Sequence, residues 1–60
     1  MTYTEMYWAT NNALANKNEI RLKELFNLDS RWFDDIIDEI ESVMELSSET
    51  LNMIKRAKGE

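Results

Sequence analysis

Asp34, Asp38, Glu41 and Glu45 recur at intervals of four, three and four, and Asp35 with Glu39 forms a second row beside them. On a helix the first four would line one side over about 16 Å. Carboxylates in that pattern have three chemical uses: an acid and base pair, a cage for a cation, or an electrostatic surface for a basic partner. The first needs a desolvated pocket, and a few short helices leave little room for one. The second needs the loop carbonyls and glycine turn of a calcium loop, whereas the chain has one glycine, at position 59. The third needs exposure alone.

Composition narrows the choice further. With no His and no Cys, the usual general base, thiolate nucleophile and transition-metal ligands are missing. No catalytic residue, cofactor or metal ligand is assigned, and the expectation is that the protein is not an enzyme.

The net charge of −5 is uneven: residues 29 to 49 hold eight acids and one base, Arg31, and the remainder four acids and six bases. A nucleic-acid binder shows a basic stripe, so no direct nucleic-acid binding is expected. The segment NEIRLKELFNLDSRWFDDIIDEI has the outline of a helix-turn-helix. Its second helix, however, would present Asp34, Asp35 and Asp38 to the DNA, where Arg, Lys, Asn or Gln belong.

Like charges at helical spacing cost about 0.2–0.5 kcal/mol per pair. The helix dipole offsets Asp34 and Asp35 alone, and Arg31 is the one base on the same segment. Local stability therefore does not account for the rows. One explanation is a solvated face, partly neutralised if a fourth helix packs antiparallel and brings Lys55, Arg56 and Lys58 across. The other is a docking surface for a protein partner with a basic surface. A sharper form of the second is nucleic-acid mimicry, with carboxylates about 6 Å apart along the helix standing in for phosphates.

The elements that hold these residues are read from capping patterns. No Pro, one Gly and abundant Leu, Glu, Lys, Met and Ala favour helix. Thr2 with Glu5 reads as a capping box, with Met1 and Met6 at its staple positions; Asn16 with Glu19 repeats the pattern, with Ala15 and Ile20 as staple. Asp29 and Ser47 read as further N-caps, stapled by Leu28 with Phe33 and by Leu46 with Leu51. The expectation is an all-α protein: a compact bundle of three to four short helices in a single domain over residues 1–60, at about 3 to 14, 17 to 27, 30 to 45 and 48 to 58.

Phe33, Ile36, Ile37, Ile40, Val43 and Met44 form the buried face of the third helix. Ile20, Leu22, Leu25 and Phe26 serve the second, and Tyr3, Met6, Tyr7, Thr10, Ala13 and Leu14 the first. Two rival readings exist, an edge strand over TYTEMYW and a single helix from 30 to 58. Trp8 falls off the first helix's stripe and is a candidate partner anchor, whereas Trp32 suits a core or capping contact. Met53 could widen an apolar interface, and Lys58, Gly59 and Glu60 are expected to fray.

Sixty residues lie near the lower limit for a chain that folds alone, so a homodimer is a second possibility. No basic, apolar leader opens the chain and no run is long enough to span a bilayer. A soluble, cytoplasmic protein with no membrane partner is expected. The segment NNALANKNE resembles in outline the small antitoxins that block Fic-type AMP-transferring enzymes. Their motif is Ser or Thr, three residues, Glu, then Gly or Asn. Here Asn16, Ile20 and Arg21 stand at those positions, so the inhibitory motif is absent and no residue role is carried over.

The functional expectation is a small acidic module that binds protein through Asp34, Asp35, Asp38, Glu41, Glu45 and Trp8, as an inhibitor, antitoxin-like or accessory factor. The alternatives are a structural homodimer or helical assembly protein, and a nucleic-acid mimic.

Overall fold

A computed structural model describes all sixty residues as four α-helices joined by short connections. They are α1 (Tyr3–Ala15), α2 (Glu19–Leu28), α3 (Ser30–Val43) and α4 (Ser48–Ala57). The all-α bundle is as expected; residues 3 to 9 are helix, not strand, and 44 to 47 interrupt what would have been one long helix.

Each helix starts at a side-chain cap. The Thr2 and Glu5 capping box is complete: the Thr2 N–H donates to Glu5 Oε1 at 2.8 Å and the Glu5 N–H to Thr2 Oγ1 at 3.2 Å. Asp29 Oδ1 accepts the Trp32 N–H at 3.1 Å, and Ser47 Oγ accepts that of Thr50 at 3.2 Å. Asp29 also closes α2, so one extended residue makes the whole corner between α2 and α3.

The second start differs from the reading above. Asn18 is the N-cap, accepting the Arg21 N–H at 3.1 Å, and Asn16 instead ends α1. The first helix runs through TNN because Thr10 is fully buried and donates its hydroxyl back to the Met6 carbonyl at 2.8 Å, while Ala13 and Leu14 beyond it are buried in the core. A residue that competes with helix when exposed is thereby satisfied inside one. The chain then reverses at Lys17, whose φ of 53° is left-handed, and the cap shifts two residues on.

The C-terminal turn, where fraying was expected, closes on two backbone hydrogen bonds. Gly59, at φ 83°, lets its N–H reach the Arg56 carbonyl at 3.1 Å and the Glu60 N–H that of Lys55 at 2.9 Å. This is the paired closure by which a left-handed glycine ends a helix.

Twelve apolar residues form one core. Met6, Ala13 and Leu14 come from α1, Leu22 and Leu25 from α2, Phe33, Ile36, Ile37 and Ile40 from α3, and Met53, Ile54 and Ala57 from α4. Phe33 and Phe26 meet edge to face at 5.5 Å, a geometry that aligns ring edge with ring face. Met53 is buried and so is not part of an outer apolar surface.

Three residues assigned to the core lie outside it. Ile20 is 78% exposed, because it stands two places before Leu22 and so about 200° round the helix from it. Val43 and Met44, where α3 ends, are 74% and 50% exposed. The Met44 backbone is already extended.

The radius of gyration is 10.2 Å, close to the roughly 10.4 Å expected for a folded domain of this length. Its accessible surface of 4108 Å² likewise matches the roughly 4,100 Å² of a folded monomer of its mass. The close helix pairs are α1 with α2, α1 with α3, α2 with α3, and α2 with α4. Helices α3 and α4, though consecutive and both part of the core, are less closely packed than these pairs.

Candidate functional site

The looser packing of α3 against α4 leaves an open groove between them, and it divides the acidic residues. Asp34, Asp38 and Glu41 form its α3 wall, Lys55 and Lys58 stand on the α4 side, and Ile37, Leu51 and Ile54 lie between. Asp35 and Glu39 stand one position on from Asp34 and Asp38, and Glu39 faces α1, where the Tyr3 hydroxyl donates to its Oε2 at 3.3 Å. Tyr3 in turn meets Trp32 edge to face at 5.5 Å. Partial burial, followed by the Glu39 carboxylate beside it, pushes the Tyr3 phenol above its ordinary value. The two rows thus meet different neighbours.

Glu45 belongs to neither row. Because α3 ends at Val43, Glu45 lies in the connection to α4, beside Leu14, Met44 and Leu46. The expected line of four carboxylates is a line of three.

Only one of these acids is neutralised within the fold. Lys58 Nζ approaches Asp34 Oδ1 at 3.0 Å and Glu60 Oε2 at 3.5 Å. The hydrogen bond to Asp34, working against burial, holds the Lys58 ammonium above its ordinary value. Arg56 turns to α2 instead, donating from Nε and Nη2 to Glu19 Oε1 at 3.0 and 2.9 Å. Lys17 pairs with Glu49 at 3.5 Å and Arg21 with Glu24 at 3.7 Å. Arg31 and Lys55 make no ion pair, and neither do Asp35, Asp38, Glu41 or Glu45. The neutralisation expected from Lys55, Arg56 and Lys58 together comes from Lys58 alone.

No three carboxylates converge closely enough to hold a metal ion. Trp8, as its position off the stripe implies, is 59% exposed; it meets Tyr7 edge to face at 5.5 Å. It lies on α1, away from the groove-lining residues. Trp32 is half-buried against the core.

Leu51 and Ile54 join the site without having been assigned to it, whereas Lys55 and Lys58 were expected opposite the acidic rows. Their spacing of three and four marks a helix face, but that face alone does not tell whether α3 would cover it.

The fold is a small, compact all-α bundle with a groove lined on its α3 side by carboxylates. Set against known protein families, curated proteins and solved structures, the chain matches none. No helix is long and apolar enough to cross a membrane.

Proposed function

We propose that this protein is a small, non-enzymatic, cytoplasmic binding module that docks the acidic side of α3 on a basic surface of a larger protein, as an inhibitor, antitoxin-like or accessory factor. The observation that carries the reading is the unequal use of charge. Six of the seven bases lie outside the acidic segment, yet one of them reaches the α3 rows, leaving Asp35, Asp38 and Glu41 exposed and unpaired. Opposite potential on a partner would offset that repulsion, speed encounter and fix register. Trp8, exposed on α1 and away from the groove, is a candidate second anchor, because exposed tryptophans supply much of the binding energy where they become buried in an interface.

The test is affinity capture from host lysate with the native chain and with a variant carrying Asp34→Lys, Asp38→Lys, Glu41→Lys and Glu45→Lys, both checked for helix content by circular dichroism. A protein held by the first and lost by the second supports the reading. Equal capture by both, or capture of nothing, counts against it.

A second reading, self-association into a structural homodimer, is favoured by the exposure of Val43 and Met44 at the end of α3. Sedimentation at micromolar concentration tests it: a monomer with full helix content removes it. Nucleic-acid mimicry loses ground with Glu45, since the shortened row has one of its three charges already paired.

A further inference from the structure

The groove between α3 and α4 has two properties that a flat acidic face lacks. Three apolar side chains lie at its base among charged ones: Ile37 and Ile54, core residues with little exposed surface, and Leu51, half-buried beside them. Its walls differ, with carboxylates alone on α3 and, on the α4 side, the Lys55 and Lys58 ammonium groups with the Glu60 carboxylate beside Lys58. At one end Lys58 already sits on Asp34 at 3.0 Å, so this wall takes a lysine in the native fold. Asp38 and Glu41, further along it, hold none.

We propose that the groove receives a basic amphipathic helix from a protein partner, with an apolar side chain set on Ile37, Leu51 and Ile54 and Lys or Arg side chains set on Asp38 and Glu41. This rests on the reading of α3 as a docking face and specifies which side of α3 is used. Charge complementarity selects a basic occupant and disfavours a nucleic acid. Helix geometry suits the site because a helix presents apolar and basic residues three and four apart along one face. An extended peptide would find no sheet edge to pair its backbone. A volume of about 380 Å³ admits side chains but not a folded surface. Lys55 sets the orientation, since the basic side of the occupant must face α3 and turn away from α4.

The probe is a synthetic amphipathic peptide of Leu and Lys, long enough to be helical at about sixteen residues, compared with one in which Ser replaces every Leu at the same charge. Binding to the full chain is followed through the methyl signals of Ile37, Leu51 and Ile54. The Leu peptide is expected to shift those methyls, and the Ser peptide to bind about tenfold more weakly or less. Joint Asp38→Lys and Glu41→Lys substitution should weaken the Leu peptide by about tenfold or more. Lys55→Glu should tighten it, whereas Lys23→Glu, the same change of charge on an exposed position of α2, should not match that gain.

Binding that leaves the methyls unmoved, and that is lost with Asp35→Lys rather than with the groove variant, would overturn the groove while keeping the acidic face. Equal binding by the groove variant would overturn the charge pairing. Methyl shifts that grow with protein concentration and no peptide would make the occupant a second copy of the chain. Failure of both peptides to bind would count against the groove and, together with equal lysate capture by native and reversed chains, against the docking face itself.

Discussion

Lys58, the residue that ends α4, places its ammonium 3.0 Å from Asp34 in the second turn of α3, and this is the one ion pair that ties α4 to α3. Those helices pack less closely than the other neighbouring pairs, so the contact closes one end of the groove and leaves the rest open. The Lys58 side chain is 28% exposed, so water screens the pair in part.

Lys58→Met is expected to cost about 0.5–1 kcal/mol at neutral pH, the range of a partly exposed pair. The hydrogen bond to Asp34 raises the Lys58 pKa. Its contribution is therefore complete below the ordinary lysine value of about 10.4 and is lost as the pH rises through its own, higher value. Urea denaturation from pH 7 to 11 should show the native and Lys58→Met chains converging at the alkaline end. A gap that stays constant to pH 11 would mean that packing, not charge, made the difference.

The capping box at the other end of the chain predicts the opposite dependence. The Thr2 backbone N–H, and after it the Thr2 side chain, holds the Glu5 carboxyl below its ordinary value. Stability from that bond is present above the unfolded value of about 4.3 and lost as the pH falls through the depressed one. Glu5→Gln keeps an acceptor without the titration. Thermal melts between pH 2 and 7 should therefore show a shallower acid loss for Glu5→Gln than for the native chain, with the two curves approaching one another at the lowest pH.

The third helix separates periodicity from burial. Phe33, Ile36, Ile37, Ile40 and Val43 share one spacing, but Phe33 is fully buried and Val43 is 74% exposed. Truncating a buried phenylalanine typically costs about 3–5 kcal/mol, so Phe33→Ala should leave this small domain largely unfolded. Val43→Ala should fall within about 0.5 kcal/mol of the native chain, as exposed substitutions do. Chemical denaturation of both variants checks the pair, and a large loss at Val43 would show that its exposed surface is covered in solution by another copy.

That contrast marks what the sequence could reveal about the fold. Helix number, three of the four caps and the faces built on Met6, Leu25, Phe33 and Ile40 are local properties, written in spacings of three and four. Where a face stops being covered is not local. Val43 and Met44 are exposed where α3 ends, and Asn18 replaces Asn16 as a cap because α1, with Ala13 and Leu14 buried, runs to Ala15 and takes Asn16 as its C-cap. Neither fact has a signature in the residues themselves.

The site divides in the same way. Asp34, Asp38 and Glu41 were placed together by their spacing alone. The loss of Glu45 follows from the end of α3. The choice of Arg56 for Glu19 is a contact between α4 and α2 that no periodicity encodes. The looser packing of α3 on α4, which turns an acidic row into one wall of a groove, is equally absent from the spacing.

Lys17 offers the last test, at the reversal between α1 and α2. Its N–H reaches the Leu14 carbonyl at 3.2 Å and the Asn18 N–H reaches that of Ala13 at 2.8 Å, a closure that requires φ of 53° at Lys17. A side chain in that left-handed region costs about 1–2 kcal/mol, whereas glycine adopts it without steric penalty but loses about 0.5–1 kcal/mol more chain entropy on folding. The exposed Lys17 and Glu49 pair at 3.5 Å adds little, as surface pairs do. Lys17→Gly is therefore expected to raise stability by about 0.5 kcal/mol, and Lys17→Val, branched at Cβ and with no side-chain polar group to help, to lower it. Urea midpoints of the three chains measure the order directly. If Gly and Val both destabilise by the same amount, the Glu49 contact, and not the backbone, is what Lys17 contributes.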